Sequence, residues 1–287
     1  MKKIYALITV ITLFLTACGF VRTSPFGGES LILIPTSQEV AIGRQAAAEV
    51  EKKAKLCKDP VINRYVQEVG QKIVAVCGRH DITYHFKVIE SDELNAFSLP
   101  GGWVYIYTGL LKHLDNEAEL AFVLGHEVGH IVGRHAIKRL QVIYGINFLL
   151  SLAFKEHQPS PVEQKILNVL FNIVLAGYSR QEEFEADAMG VYFAGKAGWN
   201  PVASVETIKL LDSLMKFKPN GITELFMDHP TNRERIEKLN RIISTFPKSW
   251  LTNPFNEDRY KEMVLRRLNG DIEGGKESSN RGSNSFK

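Results

Sequence analysis

Cysteine is scarce in this chain. Three stand in 287 residues, Cys18, Cys57 and Cys77, so one internal disulfide at most is available. Cys57 and Cys77 fall near the ends of two successive expected helices, which holds them roughly a helix length apart and beyond bridging distance. Two buried free thiols are the expectation. An excess of charge is equally absent. The formal balance is +3, of which Lys2 and Lys3 carry two. No basic stripe runs along the sequence, which excludes a nucleic-acid binder. Long hydrophobic runs are missing too, since a bilayer crossing takes about 20 apolar residues. The two strongest candidates, residues 141–154 and 162–178, are shorter and interrupted by Asn147, Asn168 and Asn172. They read as two helices packed over the functional region, apolar enough to dip towards a membrane surface. The length suffices for one large domain with an ample core.

What the sequence does contain begins at its N-terminus. Lys2 and Lys3 precede a short apolar run, Ile4 to Leu15, and small residues follow. A charged start, a short apolar core and a small-residue cleavage point describe a secretory signal over residues 1–17. Leu15-Thr16-Ala17-Cys18 resembles the lipobox of bacterial lipoproteins, which implies that Cys18 becomes the lipidated first residue. Gly19 after it, rather than an aspartate, resembles lipoproteins sent to the outer membrane. Residues 18–36 read as a tether, with Leu31 to Ile34 either a short strand or an apolar linker.

Beyond the tether, Thr36 with Glu39 three residues on reads as a capping box for a helix running towards Cys57. Asp59-Pro60 caps a second helix, whose buried face carries Val61, Tyr65, Val66, Val69 and Ile73 and which Gly78 ends. Ile82, Tyr84, Phe86 and Val88 then alternate with Thr83, His85 and Lys87, the pattern of a half-buried strand. Asn95 to Gly102 reads as a loop, and Trp103 to Tyr107 as a second strand. Either strand is a candidate edge beside the functional site, or the two form an ordinary hairpin on the next helix. Gly198-Trp199-Asn200-Pro201 breaks and restarts a later helix, and from Gly270 the composition turns to that of a disordered tail, residues 269–287.

The next helix carries His126-Glu127-Val128-Gly129-His130. Asn116 can cap it, with Glu119 three residues on. Histidines four apart share one helix face, so both imidazoles can reach one zinc ion, and Glu127 between them can serve as general base towards the attacking water. A buried structural pair of histidines is the alternative. On a continuous helix His135 lies about half a turn out of phase with His126 and faces elsewhere, and the position ten after His126 is Ala136 rather than a third histidine. His135 is therefore expected to be a structural or surface residue.

A third ligand must come from further along. In Ser179-Arg180-Gln181-Glu182-Glu183-Phe184-Glu185-Ala186-Asp187, Glu183 and Asp187 share a helical face while Glu182 and Glu185 turn away. Glu183 suits a two-histidine, one-glutamate zinc set, and Asp187 can accept the N–H of a ligating histidine and fix its tautomer. A solvated acidic face is the competing reading, but Ala186, Met189, Gly190 and Tyr192 are too apolar for a fully exposed helix.

Asn95-Ala96-Phe97 with Leu99-Pro100-Gly101-Gly102, the His126–His130 motif with Arg134-His135, and Ser179-Arg180 with Glu183, Ala186 and Asp187 occur in an ordered, spaced set. Over roughly residues 37–245 that set resembles the HtpX and CAAX-prenyl-protease family of zinc metallopeptidases. Within the family the chain is similar to the lipidated members of the bacterial periplasm and to their mitochondrial inner-membrane relative. The resemblance implies an α+β fold over residues 37–268, a mainly helical zincin-type domain with a small antiparallel sheet beside the histidine helix. It implies one zinc per chain held by His126, His130 and Glu183, with Glu127 activating water. Asp228-His229-Pro230 with Arg235 also matches. In some relatives the histidine equivalent to His229 lies over the metal, as a fourth ligand or oxyanion group, and a loop-structuring role beside Pro230 is the alternative. Arg235 either binds substrate or anchors the helix Thr231–Ile243.

The expected activity is that of a periplasmic, lipid-anchored zinc endopeptidase. Its partners are unfolded or extended polypeptides, the membrane through Cys18, and the envelope assembly machinery, with envelope quality control as the task. The rivals are a chaperone-like or scaffolding lipoprotein with a closed or structural zinc, and an aminopeptidase. A structural zinc needs no general base, so Glu127 argues against the first of these.

Overall fold

The computed structural model describes residues 20–22, 26, 29–153, 161–175, 177–217 and 232–271. The expected signal sequence with Cys18, the segment carrying His229 and most of the expected tail lie outside these residues. Two three-residue strands, β1 (Phe20–Arg22) and β2 (Glu29–Leu31), pair antiparallel, with Phe20 opposite Leu31. The stretch that follows is docked on the protein body. Ile32 and Ile34 are buried, and the Gln141 side chain accepts from the Leu33 and Ile34 N–H groups at 2.7 and 3.2 Å.

Helix α1 (Thr36–Lys53) starts where Thr36 predicts, but without the capping box. The Thr36 hydroxyl donates to Asp81 at 2.9 Å, and Glu39 is fully buried. Its carboxylate accepts from Arg79 at 2.8 and 3.0 Å, from Arg134 Nε at 2.8 Å and from the Gly101 N–H at 3.2 Å. Two guanidinium groups are stronger partners than one free backbone N–H, and they draw Glu39 inward. Helix α2 (Pro60–Val74) forms as read, with Asp59 accepting from the Val61 and Ile62 N–H groups at 2.8 and 3.1 Å. Cys57 and Cys77 are both free thiols.

The sheet corrects one expectation about local structure. Ala96–Leu99 is a strand, β4, between β3 (His85–Ile89) and β5 (Trp103–Tyr107) in sequence. The spatial order is β3-β5-β4, with β5 parallel to β3 and antiparallel to β4, so the sheet is mixed rather than antiparallel throughout. The turn Pro100-Gly101-Gly102 obscured this strand. Gly101 and Gly102 take φ of +75° and +114°, and a Cβ at Gly102 would sit 2.1 Å from the Thr83 carbonyl oxygen. Glycine there lets β4 reverse tightly into β5. The sheet separates two apolar clusters. Phe86, Val88, Val104 and Ile106 belong to the one built on α2, while Phe97, Leu99, Trp103 and Tyr105 belong to the one built on α1.

After the short helix α3 (Thr108–Leu111) comes α4 (Glu117–Val132), in which every residue except His126 is buried. A helix apolar on nearly all sides is a core helix. The helices that follow are α5 (His135–Ala153), kinked at Gly145, α6 (Pro161–Leu175), α7 (Arg180–Lys196), α8 (Ala203–Phe217) and α9 (Asn232–Ile243). Among the described residues no helix is long and apolar enough to cross a membrane. The closest helix pair is α4 with α7, and glycine sets its spacing. A Cβ at Gly190 of α7 would lie 2.8 Å from the His126 nitrogen, and one at Gly125 of α4 would lie 3.0 Å from the Gly190 oxygen. The two backbones touch where the histidines begin.

Candidate metal centre

Asn116 caps α4 by accepting the Glu119 N–H at 2.9 Å, and the helix runs unbroken through the two histidines. Ser179 caps α7 in a full capping box with Glu182, which leaves Glu183 one residue further round and aimed at α4. The close approach of the two helices brings His126, His130 and Glu183 together, with a ligand atom of each within 4.8 Å of the others. The two Nε2 atoms are 3.0 Å apart, and each lies 3.5 Å from an oxygen of Glu183. Two donors about 2.0–2.1 Å from one tetrahedral zinc would be about 3.3 Å apart, so this cradle fits the ion. Counted as ionised, the carboxylates of Glu127, Glu183 and Asp187 against the Arg235 guanidinium leave two net negative charges around the histidines. A divalent cation would balance them.

Each histidine is held from behind through Nδ1, which leaves Nε2 facing the cradle. His126 Nδ1 lies 3.0 Å from Asp187 Oδ1. Asp187 is clamped in turn by Arg235, whose Nη2 and Nε donate to its two oxygens at 2.7 and 2.8 Å. Burial alone raises an aspartate pKa, but the Arg235 charge and hydrogen bonds outweigh it and hold Asp187 well below the carboxylate range. Burial likewise disfavours protonation of His126, yet Asp187, Glu183 and Glu127 together pull its pKa above the ordinary value. The site favours positive charge at its centre. Arg235, near the start of α9, reaches Asp187 on α7 and also lines the cleft beside the histidines.

The support behind His130 was not foreseen. Helix α4 does not continue into His135. It ends at Val132, Arg134 takes φ of +52°, and α5 starts afresh at His135. The surface reading of His135 is thereby overturned, because its side chain is fully buried with Nδ1 2.8 Å from His130 Nδ1. The phase argument assumed a continuous helix, and Gly133-Arg134 breaks it. Tyr178 stacks on the other side of the His130 ring at 4.0 Å between centroids. Its position at the end of an apolar run concealed that role. Glu185, which the helical projection turned away from Glu183, points to His135 Nε2 at 3.5 Å.

The cradle opens into a cleft on the side away from its supports. Glu127 lines it, 8% exposed, beside Phe122, Val123, Ile208 and Leu211. Asn95, Ala96, Phe97 and Ser98, the start of β4, form one wall. Among the described strands β4 is an edge, paired on one side only.

The comparisons with known proteins agree with this geometry. The model for "Peptidase family M48" matches residues 60–243, which contain every residue of the cradle and its supports. The "Beta-barrel assembly-enhancing protease" of Yersinia pestis is 27% identical over 69% of this chain and 42% of its own length. Its Escherichia coli (strain K12) counterpart is 25% identical over 69% of this chain and 42% of its own. The "Mitochondrial metalloendopeptidase OMA1" of Schizosaccharomyces pombe is 30% identical over 61% of this chain and 51% of its own. This chain thus spans about half the length of the curated relatives it matches. The family match spans the mixed sheet and both ligand helices, and on it the chain belongs to peptidase family M48, a family of metallopeptidases.

Proposed function

We propose that this chain is a zinc endopeptidase, anchored by lipid at Cys18 in the periplasm, most simply to the outer membrane, that cleaves unfolded or misassembled envelope proteins. The observation that carries the reading is the convergence of His126, His130 and Glu183 in a cleft that also holds Glu127 and is walled by the edge strand β4. Zinc, when bound, supplies a Lewis acid that polarises the scissile carbonyl and eases deprotonation of water. Glu127 takes the proton of the attacking water and later delivers it to the leaving amine. Arg235 holds Asp187, and Asp187 holds the His126 ring in the tautomer that leaves Nε2 free.

Strand β4 offers backbone groups to an extended peptide, which favours unfolded segments over particular sequences. The Ser98 hydroxyl is buried in the same wall with no hydrogen-bond partner among the described residues, and an extended peptide would supply one. An envelope assembly role draws on two relatives named for β-barrel assembly, and the anchor draws on the lipobox-like Leu15-Thr16-Ala17-Cys18.

The test is cleavage of casein, an unfolded protein, by the mature chain. The parent should cut it internally, and Glu127→Gln should lose activity by roughly 10²–10⁴-fold while keeping its zinc. One zinc per chain without cleavage, even in His229→Ala, would instead support the scaffolding reading. For the anchor, Cys18→Ser should move the protein from the outer-membrane fraction to the soluble periplasmic one.

A further inference from the structure

We propose that His135 is a positioning residue for the metal centre, accepting the Nδ1–H of His130 and so holding that ligand in the tautomer that presents Nε2. The inference rests on the metal-site reading above and extends it to a residue outside the ligand set. A separation of 2.8 Å between two imidazole nitrogens requires one N–H and one lone pair. If His130 directs the lone pair of Nε2 into the cradle, its proton sits on Nδ1 and donates. His135 Nδ1 is then the acceptor, and the His135 proton sits on Nε2. That atom faces the Glu185 carboxylate at 3.5 Å, beyond a hydrogen bond but close enough for charge to favour a proton there.

Several features lock this arrangement. The His135 ring folds back over Gly133, where a Cβ would meet its Nε2 at 2.3 Å. The left-handed backbone at Arg134 makes that reversal, and Arg134 is pinned by Glu39 at 2.6 Å and by the Ile34 carbonyl at 3.1 Å. Tyr178 closes on both rings, stacked on His130 and tilted against His135 at 5.8 Å. A core histidine without a task has little need of a partner drawn from a strained turn. Here the turn delivers the ring to the one atom of His130 that the metal does not use.

Three versions of the full mature chain decide the matter: the parent, His135→Phe, which keeps a ring but has no acceptor, and His135→Asn, whose side-chain oxygen can take the acceptor's place. Zinc affinity is read by competition with a chelator, and folding by circular dichroism of the metal-free proteins. His135→Phe should bind zinc roughly 10–100-fold more weakly, the usual effect of losing a partner behind a ligand, and His135→Asn should recover most of that loss. A folded His135→Phe with parental affinity overturns the proposal, as does a folded His135→Asn that loses as much as His135→Phe.

Because His135→Phe is a core change that can prevent folding, a second measurement uses the parent alone. Imidazole ¹⁵N–¹H correlation spectra of the zinc-loaded protein should give His135 protonated at Nε2 and bare at Nδ1. The opposite tautomer overturns the proposal whatever the variants do. Failure of the parent to bind zinc at all is a separate result, which would remove the metal-site reading and this inference with it.

Discussion

The two histidines of the cradle stand one helical turn apart, yet they are supported in opposite ways. Behind His126 lies charge: a carboxylate from α7, clamped by a guanidinium from α9. Behind His130 lie one imidazole and one phenol, delivered by a break in the chain and the end of an apolar run, with the Glu185 carboxylate beyond the imidazole. The first support is strong and costly to damage, because each partner left alone is a buried charge. The second is weaker and more forgiving, because its direct contacts with His130 are one hydrogen bond and one ring stack. One ligand is held by electrostatics and the other by shape and tautomer.

The largest effect should come from breaking the charged support. Asp187→Asn keeps the volume but leaves Arg235, 5% exposed, without its counter-ion. Loss of one partner of a buried pair costs about 3–5 kcal/mol, so the melting temperature should fall by several degrees or more and zinc binding with it. The parent should show the pH dependence of the same pair. Asp187 is held below its unfolded pKa, so its contribution is complete above about pH 4 and fades as pH falls below that value. Unchanged stability in Asp187→Asn would mean that the ion pair does not carry the weight assigned to it.

A carboxylate on α4, the histidine helix, should behave in the reverse sense, which makes it a control. Glu119, 3% exposed, accepts from the Asp115 N–H at 2.8 Å rather than from a guanidinium, and burial pushes its carboxyl up to about 7. The folded state holds that proton more tightly than the unfolded chain, so stability is greatest below about pH 4.5 and declines as pH rises towards 7. Glu119→Gln should therefore raise stability at pH 8 by about 1–3 kcal/mol and gain little at pH 4.5, as melting curves at the two values would show. A gain at acid pH alone would reverse the assigned sign.

The smallest effects should come from the ring stacked on His130. Tyr178→Leu removes the ring stacked on His130 and should cost about 0.5–1.5 kcal/mol beyond the lost burial, with a modest drop in zinc affinity. Tyr178→Phe keeps the stack and should leave both quantities close to parental. A large loss in Tyr178→Phe would give the phenol a role that the stacked geometry does not require.

The same contrast explains what could be read beforehand. Glu183 and Asp187 were legible because a carboxylate pair at helical spacing among apolar residues declares its chemistry. Asp59-Pro60 and Asn116 declared helix starts through local hydrogen bonding, which depends only on near neighbours. Strand β4 was hidden because its pairing depends on β5 and a Gly-rich turn, not on alternation within its own four residues. The parallel pairing of β3 with β5 follows from that hidden strand. Glu39 was misread because its partners, Arg79 and Arg134, lie 40 and 95 residues away. His135 proved structural, as one of its two readings had it, but the direction it faces was misread because a single left-handed residue resets helical phase. Long-range polar pairing and phase breaks were the illegible part, and both fall at the metal centre.

The glycine contact between α4 and α7 carries a last consequence, for which ions the site accepts. Gly190 already meets the backbone of His126, so the ligand helices cannot move closer, and the packed core behind them resists their moving apart. The cradle is therefore a gauge of fixed aperture. A small ion content with four ligands fits three converging donors and leaves one position open. Calcium, which seeks six to eight oxygens at 2.3–2.6 Å, would find one carboxylate and two nitrogens at the wrong span. For a bound ion, the distance between the two backbones would thus favour a small ion before any side chain is chosen.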